Sequence, residues 1–176
     1  MNRNLPSWLQ GHINIFDIEQ IHHAFIISGS KGIGKSLLIE NLSEKLLNNK
    51  ISLENNPDFH NLKILDEKKL IGINQIHELR DRLYESSFLG KNKVAVINEI
   101  EKISIDGLNA ILKILEEPPK NTYFLLSTNF LNQIPLTIQS RCFDLRISSP
   151  DIEQSLEWLS YYQTKDALKA LEITNN

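Results

Sequence analysis

The sequence predicts an α/β domain built on a mostly parallel sheet. Two observations predict it. Short, continuous apolar runs alternate with longer amphipathic stretches, as buried parallel strands alternate with helices. A complete glycine-rich loop of the phosphate-binding type stands between the first such run and the first such stretch.

The elements follow in order. "AFIIS" at 24–28 reads as the first strand, because a short apolar run ending at Gly29 is how a fully buried strand looks. Residues 35–47, "KSLLIENLSEKLL", place Leu38, Leu42 and Leu46 on one helical face. A polar stretch, "NNKISLENNPDFHN", breaks the pattern, and "LKIL" at 62–65 is predicted as the second strand. Ile73, Ile76, Leu79 and Leu83 mark an amphipathic helix. "VAVIN" at 94–98 is the third strand. Ser104 or Asp106 can cap the next helix, whose apolar face is Leu108, Ile111, Leu112 and Leu115. Pro118 and Pro119 end it, since proline removes a donor and clashes with the preceding turn. "YFLLST" at 123–128 and "FDLRI" at 143–147 complete five strands. "SSP" at 148–150 reads as a boundary, followed by two helical stretches, "DIEQSLEWLSYY" and "TKDALKALEI". Residues 1–149 are thus expected to form the α/β domain and 150–176 the beginning of a second, incomplete one.

Composition narrows the function classes. The chain has 176 residues, 41% of them apolar and 23% charged, with a formal net charge of −3. That balance argues against a strongly basic nucleic-acid module, while leaving room for a local patch. The single cysteine, Cys142, can form neither an internal disulfide nor a cysteine-rich zinc site, which fits a reducing, cytoplasmic location. The first 16 residues lack the apolar core of a signal peptide, and no run of 18 apolar residues exists, so no membrane association is expected.

Gly29-Ser30-Lys31-Gly32-Ile33-Gly34-Lys35-Ser36 matches G-x-x-x-x-G-K-S/T in full, between a predicted strand and a predicted helix. Glycines let the backbone curl so that successive N–H groups point inward at phosphate oxygens, and the following helix adds its N-terminal dipole. Lys35 can reach the β- and γ-phosphates, and Ser36 can ligate magnesium. ATP with magnesium is therefore the expected ligand, with its occupancy left open. A chance glycine turn, or a loop that no longer uses its nucleotide, is the competing reading. The third strand bears on the choice. A P-loop ATPase ends this strand with a magnesium-holding Asp, often followed by an acid that activates water. This chain has Asn98 there, with Glu99 next. An amide oxygen is neutral and a weaker ligand for a hard dication, so binding without efficient hydrolysis is expected. Glu99 remains a candidate base, or, in an alignment shifted by one residue, the metal carboxylate.

"GLNAILKILEEPP" at 107–119 and "IQSRC" at 138–142, taken with the P-loop, resemble the bacterial DNA polymerase III clamp-loader AAA+ family. "PSWL", "IHHAFIISG", and "NPDFHNL" followed by "INQIHELRDRL" are most similar to its delta-prime branch. The resemblance runs from Pro6 to Trp158, nearly the whole chain. It implies an AAA+ P-loop NTPase fold with a parallel five-stranded sheet flanked by helices, followed by the start of a small helical lid domain. It also implies a subunit that works with gamma/tau and delta partners to load the sliding clamp onto primed DNA. Arg141, in "SRC", would act in trans as an arginine finger on a neighbour's ATP, and Asn129, in "LLSTNF", would sit at the sensor position. Without the resemblance, Arg141 reads as a surface arginine between two strands.

The chain departs from the family pattern in three places. The interval "NNKISLENNPDFHN" carries no four-cysteine zinc module, and His60 alone is no metal site, so no zinc is expected. Asn98 replaces the metal aspartate, a degeneracy common in delta-prime. The family's lid is barely begun, and its collar domain, which assembles the loader, is expected to lie outside this stretch, which reads as either a fragment or a truncated subunit. Two readings follow: a subunit that serves its neighbours' sites, or an active ATPase of the gamma/tau or replication factor C small-subunit kind. Lys102 and Lys113 lie near the presumed DNA-facing helix, where scattered lysines are ordinarily solvated.

Overall fold

The computed structural model describes residues 5–13, 22–65, 68–89 and 91–161. After a short helix, α1 (Ser7–Ile13), come β1 (Ala24–Ser28), α2 (Lys35–Leu47), β2 (Phe59–Leu62), α3 (Ile73–Tyr84) and β3 (Lys93–Ile97). Then follow α4 (Ile105–Glu116), β4 (Thr122–Thr128), α5 (Leu136–Gln139), β5 (Phe143–Arg146) and α6 (Ile152–Tyr161). The strands form one sheet in the order β2-β3-β4-β1-β5, and every neighbouring pair is parallel.

Successive strand residues point to opposite faces, and both faces are covered. Ala24 and Ile26 of β1, Ala95 and Ile97 of β3, and Phe124 and Leu126 of β4 pack with Ile76, Leu79 and Leu83 of α3 and Ile111, Ile114 and Leu115 of α4. On the other face Phe25 and Ile27, Val94 and Val96, and Leu125 pack with Leu38, Leu42 and Leu46 of α2 and with Leu9 of α1. This two-sided burial is why β1, β3 and β4 read as unbroken apolar runs.

The predicted parallel five-stranded sheet flanked by helices is present, with differences in detail. β2 lies at 59–62, three residues before the predicted 62–65. It is an edge strand, and only its inner side has a strand to bond, so His60 and Asn61 are tolerated in it while Leu65 ends up 52% exposed. What places β2 is the pairing of Phe59 with Val94 through Leu62 with Ile97, a register that local hydrophobicity does not encode. In α3, Ile73 at the first turn stays exposed, because the helix meets the sheet only from Ile76 onward. The buried face of α4 is also rotated. Ile111, Ile114 and Leu115 are fully buried with Gly107, while Leu108 and Leu112 are only partly covered. Ser104, not Asp106, caps this helix, its Oγ accepting the Gly107 N–H at 3.2 Å. α1 and α5 were not predicted as elements; at seven and four residues both are too short to show helical periodicity. The helical stretch at 164–173 lies outside the described residues.

Candidate functional site

Because β1, β3 and β4 are parallel and adjacent in the order β3-β4-β1, their C-terminal ends open onto the same edge of the sheet. In open α/β sheets ligands bind at that edge. β1 runs directly into the glycine-rich loop, β3 into Asn98 and Glu99, and β4 into Asn129. A cavity of about 690 Å³ opens between them, and Lys31, Gly32, Gly34, Lys35, Ser36, Asn98, Glu99 and Asn129 contribute to its wall. Residues predicted from three separate stretches are thereby brought together.

The loop has the shape its glycines permit. Gly32 and Gly34 adopt φ of +84° and +101°, values that side chains rarely tolerate. At Gly34 a Cβ would in addition lie 2.9 Å from Leu9 Cδ1. α1 is thus laid across the loop, and the Trp8 indole N–H donates to the Ile33 carbonyl at 3.1 Å. Trp8 also meets Trp158 of α6 edge to face, with ring centroids 6.1 Å apart. Ile33 turns its side chain into the core, so this member of the predicted loop set anchors the loop and does not face the cavity.

Lys35 is only 8% exposed, and its ammonium is fully engaged. It donates to the Gly29 carbonyl at 2.7 Å, the Ser30 carbonyl at 2.8 Å and Asn129 Oδ1 at 2.8 Å. Burial lowers its pKa from the ordinary lysine value, opposed by the nearby negative charge of Glu101 and Glu99. Ser36 stays exposed and faces the cavity.

Asn129 is the hub of the site. Its backbone N–H donates to Glu101 Oε1 at 3.1 Å. Its Nδ2 donates to Glu99 Oε1 and Glu101 Oε1, each at 3.3 Å. With both carboxylates claiming the amide nitrogen, the amide oxygen is left to face Lys35. Glu99 is held further by Lys102, whose Nζ sits 2.7 Å from Oε2, and this hydrogen bond is the main reason the Glu99 carboxyl lies below its ordinary pKa. Lys102 therefore belongs to the acid cluster. Asn98 makes looser contacts: its Oδ1 accepts from Ser127 Oγ at 3.3 Å, and its Nδ2 donates to Asn61 Oδ1 at 3.4 Å.

The sequence assigns Glu101 no site role, and Trp8 enters there only as part of the "PSWL" of the family resemblance. Glu101 offered a faint signal, a carboxylate two residues beyond Glu99, but its partners are 28 residues away. Its Oε2 is buried without a hydrogen-bond partner among the described residues.

Arg141 lies elsewhere. It immediately precedes Cys142 and β5, so it sits at the sheet edge where strands begin, opposite the loop. Its guanidinium donates to the Thr137 carbonyl at 2.7 Å and to Ser140 Oγ at 3.3 Å, and it forms an ion pair with Glu116 Oε1 at 2.6 Å. Cys142 packs half-buried against the core, where burial pushes its thiol pKa up to about 12. Among the described residues no cluster of three or more His, Cys, Asp and Glu is arranged to hold a metal, and no helix is long and apolar enough to cross a membrane.

Comparison with known proteins extends this picture. The family model described as "DNA polymerase III, delta subunit" matches residues 6–151. The DNA polymerase III subunit delta' of Buchnera aphidicola subsp. Baizongia pistaciae is 32% identical over 181 residues, covering 89% of this chain and 54% of the relative. The subunit delta' of Haemophilus influenzae is 30% identical over 172 residues, covering 90% and 51%. The subunit tau of Escherichia coli is 32% identical over 154 residues, covering 80% and 24%. The chain spans about half the length of the delta' relatives it matches. Among solved structures, a DNA polymerase III gamma-subunit-related protein of Thermotoga maritima superposes with a TM-score of 0.68 at 24% identity, covering 82% of this chain and 47% of that one. A RuvB of the same organism superposes at 0.56 and 15% identity, covering 89% and 48%. The likeness to both is one of fold, and that fold is the AAA+ P-loop ATPase fold.

Proposed function

The chain belongs to the delta-prime-like family of DNA polymerase III clamp-loader subunits, and from that premise we propose that it helps load the sliding clamp onto primed DNA as a subunit serving its neighbours' ATP sites. In this reading it binds ATP, turns it over negligibly, and supplies Arg141 to an adjacent gamma/tau-type subunit. Delta completes the set of partners, and the clamp and primed DNA are reached through the assembly.

The observation that carries the reading is the contrast within the cavity. The loop fits a polyphosphate: its glycines hold the curled backbone, and Lys35 and Ser36 stand at its rim. The fit for magnesium is poorer. Asn98 brings no charge, and Glu99 is already paired with Lys102. A bound ATP would supply the scissile phosphoanhydride, with Lys35 on its phosphates; Ser36 would offer a metal its hydroxyl, and Glu99 would join it only by giving up Lys102. Lys35 would first exchange the Gly29, Ser30 and Asn129 oxygens for phosphate oxygens, which keeps its charge compensated throughout. Arg141 faces the other edge of the sheet, so it serves a nucleotide that is not this chain's own. A guanidinium suits that task because it stays charged and forks onto phosphate oxygens.

The experiment is phosphate release by a loader reconstituted with this chain and its gamma/tau and delta partners. Arg141→Ala is expected to lower DNA-stimulated hydrolysis while leaving this chain's own nucleotide affinity unchanged. Undiminished hydrolysis in an assembled complex would make Arg141 a structural residue. One observation favours a second reading, an active ATPase of the gamma/tau kind: Glu99 and Lys35 line the same cavity. Magnesium-dependent turnover by the chain alone, abolished by Lys35→Ala, would establish that reading in place of the first.

A further inference from the structure

Arg141 is not a free arm. Its guanidinium has five N–H groups. Two on one terminal nitrogen go to Thr137 O and Ser140 Oγ, and one on the other goes to Glu116. The two that remain have no partner among the described residues. The contact spans two parts of the fold, since Glu116 is the last residue of α4 and Arg141 follows α5.

Glu116 is oddly placed for the helix it belongs to. A carboxylate in the last turn of a 12-residue helix opposes the helix dipole, whose negative end lies there. Glu117 follows directly, adding a second negative charge. Lys113, in the same last turn, offsets the dipole's negative end, but among the described residues the cation paired with Glu116 is Arg141, at 2.6 Å. The pair is about one-third to two-fifths exposed, so it contributes little to stability, as surface ion pairs do. Its effect lies in geometry. An arginine has many rotamers, and fixing its fork in advance removes the ordering cost from the moment it meets an anion.

We propose that Glu116 is the positioning residue for Arg141: it holds one terminal nitrogen so that the two remaining N–H groups face an incoming phosphate oxyanion. The proposal rests on the reading of Arg141 as a finger for a neighbour's nucleotide. Glu116 keeps its hold while the phosphate takes the vacant donors, so positioning and engagement are compatible.

The test has two arms. In the chain alone, 15N relaxation of the Arg141 Nε–H reads the tether directly. Wild type should be ordered, and Glu116→Ala should drop the order parameter below about 0.6, the flexible range, with Glu116→Gln intermediate because it keeps an acceptor without the charge. An Arg141 already mobile in wild type, or equally ordered in Glu116→Ala, overturns the proposal. In the reconstituted loader, Glu116→Ala should lower DNA-stimulated hydrolysis about threefold to tenfold, the loss expected of one orienting bond weakened by partial exposure to solvent. It should have no further effect in an Arg141→Ala background. Additive losses, an unchanged rate, or a faster rate would each overturn positioning. If Arg141→Ala itself changes nothing, the finger reading fails and the positioning role falls with it, while the relaxation arm still reports whether the tether exists.

Discussion

Replacing Asn129 with alanine removes the hub of the site, and the structure sets the size of the effect. The change deletes the acceptor of the 2.8 Å bond from Lys35 and the donor of two 3.3 Å bonds to Glu99 and Glu101. A hydrogen bond to a charged group contributes about 1.5–3 kcal/mol when short, and the two long ones less. None of the three ions is stranded: Lys35 keeps two loop carbonyls, Glu101 keeps the backbone N–H of residue 129, and Glu99 keeps Lys102. The full penalty of an orphaned charge therefore does not apply, and the expected loss of stability is about 2–4 kcal/mol. Urea denaturation of the chain measures it, read as a shift in midpoint with unchanged slope. A loss below about 0.5 kcal/mol, the range of ordinary surface substitutions, would refute the claim that Asn129 ties the loop to the acid cluster. Asn129→Asp sharpens the test. It preserves the acceptor for Lys35 but sets a third carboxylate against Glu99 and Glu101. Its defect should be greatest at neutral pH and recede as acid protonates one member of the trio.

Three further outcomes follow from the same packing and charge arrangement. Ile111→Ala should cost about 2–5 kcal/mol, because Ile111 is wholly buried; Leu112→Ala, half-buried, should cost about 1 kcal/mol, and equal costs in denaturation would contradict a buried α4 face of Ile111, Ile114 and Leu115. Lys102→Ala should raise the Glu99 pKa, seen by NMR titration of the side-chain carboxyl, since the Lys102 hydrogen bond is the largest cause of its depression. A depressed carboxyl contributes stability that is present above its unfolded value and is lost as pH falls through the folded one, so the wild-type advantage over Lys102→Ala should shrink on acidification. Cys142, with its thiol pKa pushed up to about 12, should alkylate far more slowly at pH 8 in the folded chain than in urea, and comparable rates would refute the burial of its sulfur.

Much of this molecule is determined by its linear order. β1 and α2 fall where apolar runs and the helical spacing of Leu38, Leu42 and Leu46 put them. The loop between them is recognisable because its chemistry is contiguous: glycines for positive φ, then lysine and serine, all within eight residues. Local signals suffice wherever one short segment meets one broad environment, such as a sheet buried on both faces. They fail where the partner is distant. β2 is set by its pairing to β3 and not by its own hydrophobicity, and α4 turns Ile114 inward in place of Leu112 because α3 and the sheet select that face. The site depends still more on distance. Asn129 meets Lys35 from 94 residues along the chain and Glu101 from 28, and Arg141 finds Glu116 25 residues back. Sequence sets which groups are available and in what order. Only the folded sheet, by aligning the ends of three parallel strands, decides which charges compensate one another, because a hydrogen bond acts over about 3 Å of space and has no regard for separation along the chain.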